Sequence, residues 1–359
     1  MRVLQLMSSL SAGGIESLVM DAYESIDSKK YTFDFAIVNP HDQIHEWRIN
    51  KAFSNVIVLA DAIGKRGYFH KIMWRLTAIY NYYLLLKRET YHVVHCHMYE
   101  FPLPYILLAK IRGIPVRIIH CHSSGTDTLF FTCNAAKLFR NISFKLATSL
   151  IACSDVAAKW FYGCAPCDII HNGIHLKDII ESKERKKRIL HVGRYCTAKN
   201  HKFLLEVFSE IYNMDQEYEL VLVGFGSMET YLKKMTDSMG LSMCVHFCDT
   251  NADVYTLMRT SACFVLPSIY EGFGIVLLEA QASNLKCVVS TAVTKDVNCG
   301  LCTYVSLAET ANSWAKEVLS VINDKSMVLD AYKLKSFNID VIVKKWEHIY
   351  DSTYNKLSC

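Results

Sequence analysis

SIYEGFGIVLLEAQASNLKCVVS, residues 268–290, sets two carboxylates, Glu271 and Glu279, eight residues apart in an otherwise apolar neighbourhood. The stretch follows the apolar run CFVLP and ends in CVVS, both of strand composition. Between them, Gly272-Phe273-Gly274 reads as a turn feeding a helix that begins near Ile275. Strand, glycine turn, helix and strand in this order form the repeating element of a parallel sheet covered by helices. The free amides at such a helix start, together with its dipole, favour an anion. Glu271, in the turn, is placed to face whatever is attached beyond that anion. Glu279, one turn into the helix, can accept two hydrogen bonds from adjacent hydroxyls such as a ribose presents.

The same alternation runs along the whole chain. RVLQLM, FDFAIV, NVIVLA, HVVHCH, VRIIHCH and SLIACS read as buried parallel strands of a first half. RILHVG, YELVLVG, VHFCD, CFVLPS and KCVVST repeat the theme in a second. The 359 residues exceed one ordinary core, and two domains of about 150–200 residues are expected. The break falls near the turn signal Asn172-Gly173 and the charged run KERKKR. The expected division is 1–170, 171–335 and a C-terminal helix over 336–359. The fold class is α/β, with two doubly wound Rossmann-like domains facing each other across a cleft.

Composition narrows the function. Hydrophobic residues make up 51% and charged residues 21%, which describes a packed globular protein. The net charge of +4 is too small to argue for nucleic acid. The start, MRVLQLMSSLSAGG, reads as a first buried strand rather than an export signal, so the fourteen cysteines are expected as reduced thiols. Cys164 and Cys167 stand as a lone pair without a second pair at zinc-site spacing. No apolar run is long enough to cross a bilayer.

Ligands of parallel sheets collect beyond the carboxyl ends of the strands. The first strand runs into Gly13-Gly14, which allows close backbone approach. Two strands end in His-Cys-His, at His95–His97 and His120–His122. In each pair the two histidines share a face. The first pair reads as structural. The second, followed by Ser123-Ser124-Gly125, reads as ligand-facing, and no acidic or thiolate spacing completes a metal set. In the second half, Gly193-Arg194 ends a strand and Lys199 follows five residues later. A planar guanidinium and a compact ammonium beside a glycine suit a diphosphate. Gly224-Phe225-Gly226 again permits close approach of a ligand.

These motifs resemble glycosyltransferase family 4, retaining enzymes of the GT-B fold. EGFGIVLLEA is similar to the family's Glu-x7-Glu motif, SAGGIES to its glycine loop, GRYCTAKNH to its diphosphate clamp and IIHNGIH to its interdomain segment. RIIHCHSSG with IACSDVAAKWFYG resembles the subgroup that builds bacterial capsular polysaccharide and exopolysaccharide. The resemblance implies a nucleotide-sugar donor, with a UDP-sugar favoured, in the C-terminal half and an acceptor in the N-terminal half. It implies that His122, Glu271, Arg194 and Lys199 carry the reaction, with His120 the second candidate for the position of His122. Donor contacts would come from Gly13, Gly14, Gly193, Arg194, Lys199, Gly224, Glu271, Gly272, Phe273, Gly274, Ile275 and Glu279. The tail helix would return to the N-terminal domain. No cofactor or metal is expected, and the nucleotide-sugar is a substrate. His175 departs from the Asp frequent in the family after Asn-Gly-Ile.

Residues 61–90 mix Lys65, Arg66, Lys71, Arg75, Lys87 and Arg88 with Tyr, Trp and Leu, which suits an anionic membrane surface and equally an ordinary amphipathic core helix. The start of the chain implies a cytoplasmic setting, and the membrane reading of this segment with the subgroup likeness adds peripheral contact at the inner membrane face, with a saccharide or lipid-linked saccharide as acceptor. Two rivals remain open at this point. One is a nucleotide-sugar epimerase of the same plan; the other is a scaffold that binds nucleotide-sugar without turnover.

Overall fold

The computed structural model describes residues 1–11, 13–39, 45–61, 68–98, 101–126, 134–176 and 184–358. The chain forms two compact units: Met1–Gly173 with the helix Ile339–Ser358, and Ile174–Asn338. The second unit thus begins and ends three residues later than the sequence division at 171 and 335.

The first unit is built on seven parallel strands, β1 (Arg2–Met7), β2 (Thr32–Ile37), β3 (Val56–Val58), β4 (Val93–Cys96), β5 (Val116–Cys121), β6 (Ser149–Ala152) and β7 (Asp168–Ile169). Their order is β3-β2-β1-β4-β5-β6-β7. The chain therefore winds outward from β1 in one direction and, from β4, in the other. The central strands are buried on both faces, which is why RVLQLM is mostly apolar and His95 within β4 is buried. Helix Ile339–Ser358 contributes Trp346 and Tyr350, both fully buried. The Trp346 ring meets that of His95 edge-on at 4.8 Å.

The second unit carries β8 (Lys186–Val192), β9 (Glu219–Val223), β10 (Val245–Cys248), β11 (Ser261–Leu266), β12 (Cys287–Ser290) and β13 (Cys302–Val305). They are again parallel, in the order β10-β9-β8-β11-β12-β13. Helices His201–Met214 and Ala311–Asn323 pack together, and Leu204, Phe208, Trp314 and Val318 close one core face. Strands β7 and β13 are absent from the sequence reading. The first has only two residues, and the second is mostly half-buried, so neither leaves a continuous apolar run.

Each sheet has one switch point, where winding reverses: between β1 and β4, and between β8 and β11. In sheets of this kind ligands bind beyond the carboxyl ends of the strands, at the switch point.

Candidate functional site

In the second unit, the predicted residues gather at the β8/β11 switch point. Gly193 follows β8, and its N–H donates to the Val223 carbonyl at 2.9 Å. Gly224 follows β9 at φ +153°. A Cβ on Gly224 would lie 2.1 Å from the Gly193 carbonyl oxygen, so the two loop backbones touch only because no side chain separates them. Gly226 repeats the device: its Cβ would lie 2.4 Å from the Tyr195 carbonyl oxygen. Beneath them Tyr195 is buried and its hydroxyl donates to the Leu222 carbonyl at 3.1 Å.

The loops after β8 and β11 are joined across the switch point. The Ile269 N–H donates to the Ala198 carbonyl at 2.8 Å. That link carries Lys199 and Glu271 into an ion pair. Both side chains are mostly covered, at 18% and 17% exposure, so the pair is shielded yet reachable by a ligand. Asn200, left-handed at φ 55°, turns the chain into helix His201–Met214 directly behind Lys199. Arg194 is exposed.

Gly274, at φ +83°, is the N-cap of helix Ile275–Ala282. Gly274 makes no side-chain cap hydrogen bond, and its carbonyl accepts from the Leu277 N–H at 2.9 Å. Gly272 and Phe273 are buried, Ile275 is the first helical residue, and Glu279 is half-buried on the next turn. Phe273 packs on Phe337 at 5.7 Å between ring centroids. The site therefore combines glycine backbones, a helix start, two cations and two carboxylates at the ends of three neighbouring strands. Such a set can bind a diphosphate by charge and amides, and hydroxyl groups by carboxylate.

His191 was not singled out by sequence, although it lies on β8 two residues before Gly193. Its Nδ1–H donates to the Val265 carbonyl at 2.8 Å, and its Nε2 lacks a hydrogen-bond partner. Burial holds its pKa well below the ordinary histidine value. His201 beside it is pushed down to about 4 by burial and by the neighbouring Lys199 ammonium.

The remaining predicted residues belong to the first unit. Gly13 is the N-cap of helix Gly14–Ser25. The Glu16 carboxylate folds over this turn: a Cβ on Gly13 would lie 2.2 Å from its Oε2. Glu16 also accepts from the Ser9 hydroxyl at 3.1 Å. This helix start already faces an acidic group of the chain, a neighbour that the glycine pair alone does not reveal.

His120 and His122 sit at the end of β5, and both are buried. His95 Nε2 lies 3.2 Å from His120 Nδ1, and His97 Nδ1 lies 2.9 Å from His122 Nε2. His95 and His97 are in turn held by Tyr350 and Gln5, at 2.8 Å each. The first pair is fully engaged internally, as structural histidines are. In the second pair His120 Nε2 is buried without a partner, whereas His122 is also hydrogen-bonded by the Asn172 side chain. Burial keeps all four rings neutral, with His122 lowered to about 4. Nitrogens of His95, His97 and His120 lie within 4.8 Å of one another, near enough for one metal ion. A metal there would compete with the hydrogen bonds for the same lone pairs.

Sequence reasoning missed Gln5 and Tyr350. Gln5 left a signal, an amide in the middle of an apolar strand. Tyr350 left none, being one aromatic among several on an amphipathic helix.

Comparison with known proteins agrees with this architecture. Residues 12–178 match the family described as Glycosyltransferase Family 4, and residues 175–333 match Glycosyl transferases group 1. EpsF of Bacillus subtilis, a glycosyltransferase by name, is 30% identical over 341 residues, covering 88% of this chain and 86% of EpsF. The capsular polysaccharide biosynthesis glycosyltransferase CapH of Staphylococcus aureus is 23% identical over 372 residues, covering 99% and 90%. Among solved structures, Anabaena HepE in complex with UDP and glucose superposes with a TM-score of 0.78 at 16% identity, covering 98% of this chain and all of HepE. The two sheets are thus those of the GT-B class. With both halves matched and a relative at this identity along most of its length, the chain belongs to glycosyltransferase family 4 and is a glycosyltransferase.

Proposed function

We propose that this glycosyltransferase takes a sugar from a nucleotide-sugar, with UDP as the favoured carrier, and transfers it with retention to a saccharide acceptor during capsular or exopolysaccharide assembly. The observation that carries the reading is the β8/β11 switch point. There Lys199 and Glu271 meet beside the touching backbones of Gly193 and Gly224 and the helix start at Gly274. CapH is named for capsular polysaccharide biosynthesis, and the HepE complex holds UDP and glucose. Both names favour this reading over an epimerase or a scaffold.

Charge dictates the roles. Breaking the anomeric C–O bond leaves negative charge on the diphosphate and positive charge on the sugar ring. Arg194 and Lys199 neutralise the first, together with the amides that open helix Ile275–Ala282. Glu279 holds the ribose hydroxyls, and Glu271, with the Gly272–Gly274 backbone, holds the sugar. His122 serves the reacting centre. Lys199 pairs with Glu271, and the diphosphate competes with that carboxylate for the ammonium. The acceptor hydroxyl attacks from the face that the diphosphate leaves, which preserves the anomeric configuration. No step is assigned to a resident metal.

The acceptor reading is a lipid-linked saccharide at an anionic membrane. Lys65 and Arg66 lie outside the described residues. Helices Tyr68–Arg88, Leu103–Ile111 and Asn134–Leu146, side by side in the first unit, contain eight Lys or Arg and no Asp or Glu. They also expose Ile72, Met73, Leu76, Leu107, Ile111, Leu138, Phe139 and Ile142. Apolar groups among cations, unopposed by acids, suit anionic headgroups. Among the described residues no helix is long and apolar enough to cross a membrane.

The test is incubation with UDP-, GDP- and ADP-sugars, with and without a bacterial lipid extract. Sugar incorporated into lipid with retained configuration supports the proposal. Conversion of donor without acceptor would select the epimerase, binding without turnover the scaffold, and an inverted product would reject retention.

A further inference from the structure

His191 holds a buried acceptor outside the proposed donor contacts. It lies on β8 two residues before Gly193, so its side chain and the bare face of that glycine share one side of the strand. The ring is fixed from several directions. Its Nδ1–H donates to the Val265 carbonyl at 2.8 Å, Phe264 lies parallel to it at 6.1 Å between centroids, and His201 meets it edge-on at 4.6 Å. A carbonyl can only accept, so the one proton of the neutral ring sits on Nδ1 and Nε2 carries a bare lone pair. That nitrogen is buried without a hydrogen-bond partner, which native structures rarely tolerate without a reason.

The neighbour of Nε2 supplies one. A Cβ built on Gly193 would lie 3.3 Å from His191 Nε2, 3.3 Å from Lys199 Cε and 3.4 Å from Lys199 Cδ. The lysine stem therefore runs through the space that a side chain at 193 would fill, and its last carbon lies beside the bare nitrogen. Lys199 Nζ is one bond further on, paired with Glu271. Turning about the Cδ–Cε bond carries the ammonium between staggered positions while the stem stays in place. The end of the stem thus has two acceptors near it. Glu271 is charged. His191 is neutral, held so first by burial and then by the His201 ring and the Lys199 ammonium.

The two acceptors leave the ammonium with different powers. Paired with Glu271, Lys199 has its field at a diphosphate largely cancelled. On His191 Nε2 it keeps its full charge, and two of its three N–H groups remain for phosphate oxygens. A mostly covered ammonium needs an acceptor in either position. A neutral imidazole supplies that acceptor without opposing the anion.

We propose that His191 is a positioning residue whose Nε2 is the second seat of Lys199, taken when a diphosphate draws the ammonium away from Glu271. The trigger rests on the transferase reading; the existence of two seats does not.

Nitrogen-15 NMR of the ring-labelled full chain follows Nε2 directly, because a bare imidazole nitrogen moves upfield when it accepts a hydrogen bond. The His191 Nε2 signal should move upfield in Glu271→Ala, where the charged seat is gone and no ligand is needed. It should move the same way in wild type saturated with UDP. Adding Lys199→Met to Glu271→Ala should abolish the movement. Nε2 unmoved in Glu271→Ala would overturn the second seat, and movement that survives the loss of Lys199 would identify water as the donor and overturn it equally. UDP bound without movement of Nε2 would overturn the trigger. Turnover separates the role from packing, since His191→Gln keeps an acceptor near the Nε2 position and His191→Asn keeps only the donor to Val265. The charge on the diphosphate grows as the sugar leaves. His191→Asn should therefore lower kcat about tenfold with KM near wild type, as lost support of a contacting group does, and His191→Gln should stay closer to wild type. The reverse order, or equal losses, would mean that the ring only packs and would overturn the proposal. If neither variant folds, the Glu271→Ala spectrum still decides the seat. Failure of any nucleotide-sugar to bind would count against the transferase reading, and that spectrum stands apart from it.

Discussion

Replacing Gly224 by Ala asks whether the contact between the β8 and β9 loops holds the site in shape. The new methyl would lie 2.1 Å from the Gly193 carbonyl oxygen and 3.0 Å from its carbonyl carbon. Both are backbone atoms, so relief needs a loop displacement of about 0.9 Å to reach even the 3.0 Å limit of real contacts. The backbone at φ +153° adds strain of about 1–3 kcal/mol for a residue with a side chain. Overpacking adds about 1–3 kcal/mol more. The expected loss is therefore a large part of the 5–15 kcal/mol or so that holds a domain folded. The displaced segment also carries Arg194, and a misplacement of about 1 Å can lower turnover about a hundredfold. Gly193→Ala is the internal control. The atoms nearest its methyl would be side-chain atoms, His191 Nε2 and Lys199 Cε at 3.3 Å and Lys199 Cδ at 3.4 Å, and the lysine stem can swing aside. Its stability cost should stay below about 1 kcal/mol. Urea unfolding followed by circular dichroism measures both variants, and thermal shift with UDP measures ligand binding. Equal unfolding midpoints for the two variants, or the reverse ranking, would refute the argument that these backbones must touch.

Acid should weaken each unit before its carboxylates protonate. His122 in the first unit and His201 in the second have folded pKa values near 4 against an ordinary 6.5. Their stabilising contribution is complete above about pH 6.5 and is lost as pH falls towards 4, costing about 2 kcal/mol each by pH 5. Urea midpoints unchanged between pH 7 and pH 5 would contradict this. Glu279→Ala should weaken nucleotide-sugar binding by about 1.5–3 kcal/mol, measured by calorimetry, and wild-type affinity would remove Glu279 from the ribose. Arg75→Glu, which places a single acid on the cationic helix face, should reduce sedimentation with anionic liposomes at low salt and leave binding to neutral ones unchanged.

Much of this organisation is written locally. The Glu271–Glu279 stretch states its strand, turn and helix in order, and Gly274 takes the left-handed conformation that only a glycine adopts freely. The cationic residues after β8 are legible for the same reason: Gly193, Arg194 and Lys199 lie within seven residues. What the sequence hides is partnership across distance. Lys199 and Glu271 are 72 positions apart, and their pairing depends on β8 and β11 being neighbours, an order set by sheet winding. Tyr350 reaches His95 over 255 positions, and nothing on its own helix marks that role. His95–His97 and His120–His122 look alike in sequence. They differ because Gln5 and Tyr350 engage the first pair, while the second has Asn172 beside His122 and leaves His120 Nε2 without a partner. Strand β13 escaped notice because its side chains are mostly half-buried, so the apolar signature of a central strand is diluted.

The central claim is that the second unit grips a nucleotide-sugar by its diphosphate at the β8/β11 switch point. A crystal structure of the chain with a UDP-sugar tests it most directly. The account predicts phosphate oxygens within hydrogen-bond distance of Arg194 and Lys199, the ribose on Glu279, and the Lys199–Glu271 pair opened. A nucleotide lodged elsewhere, with that ion pair intact, would contradict it.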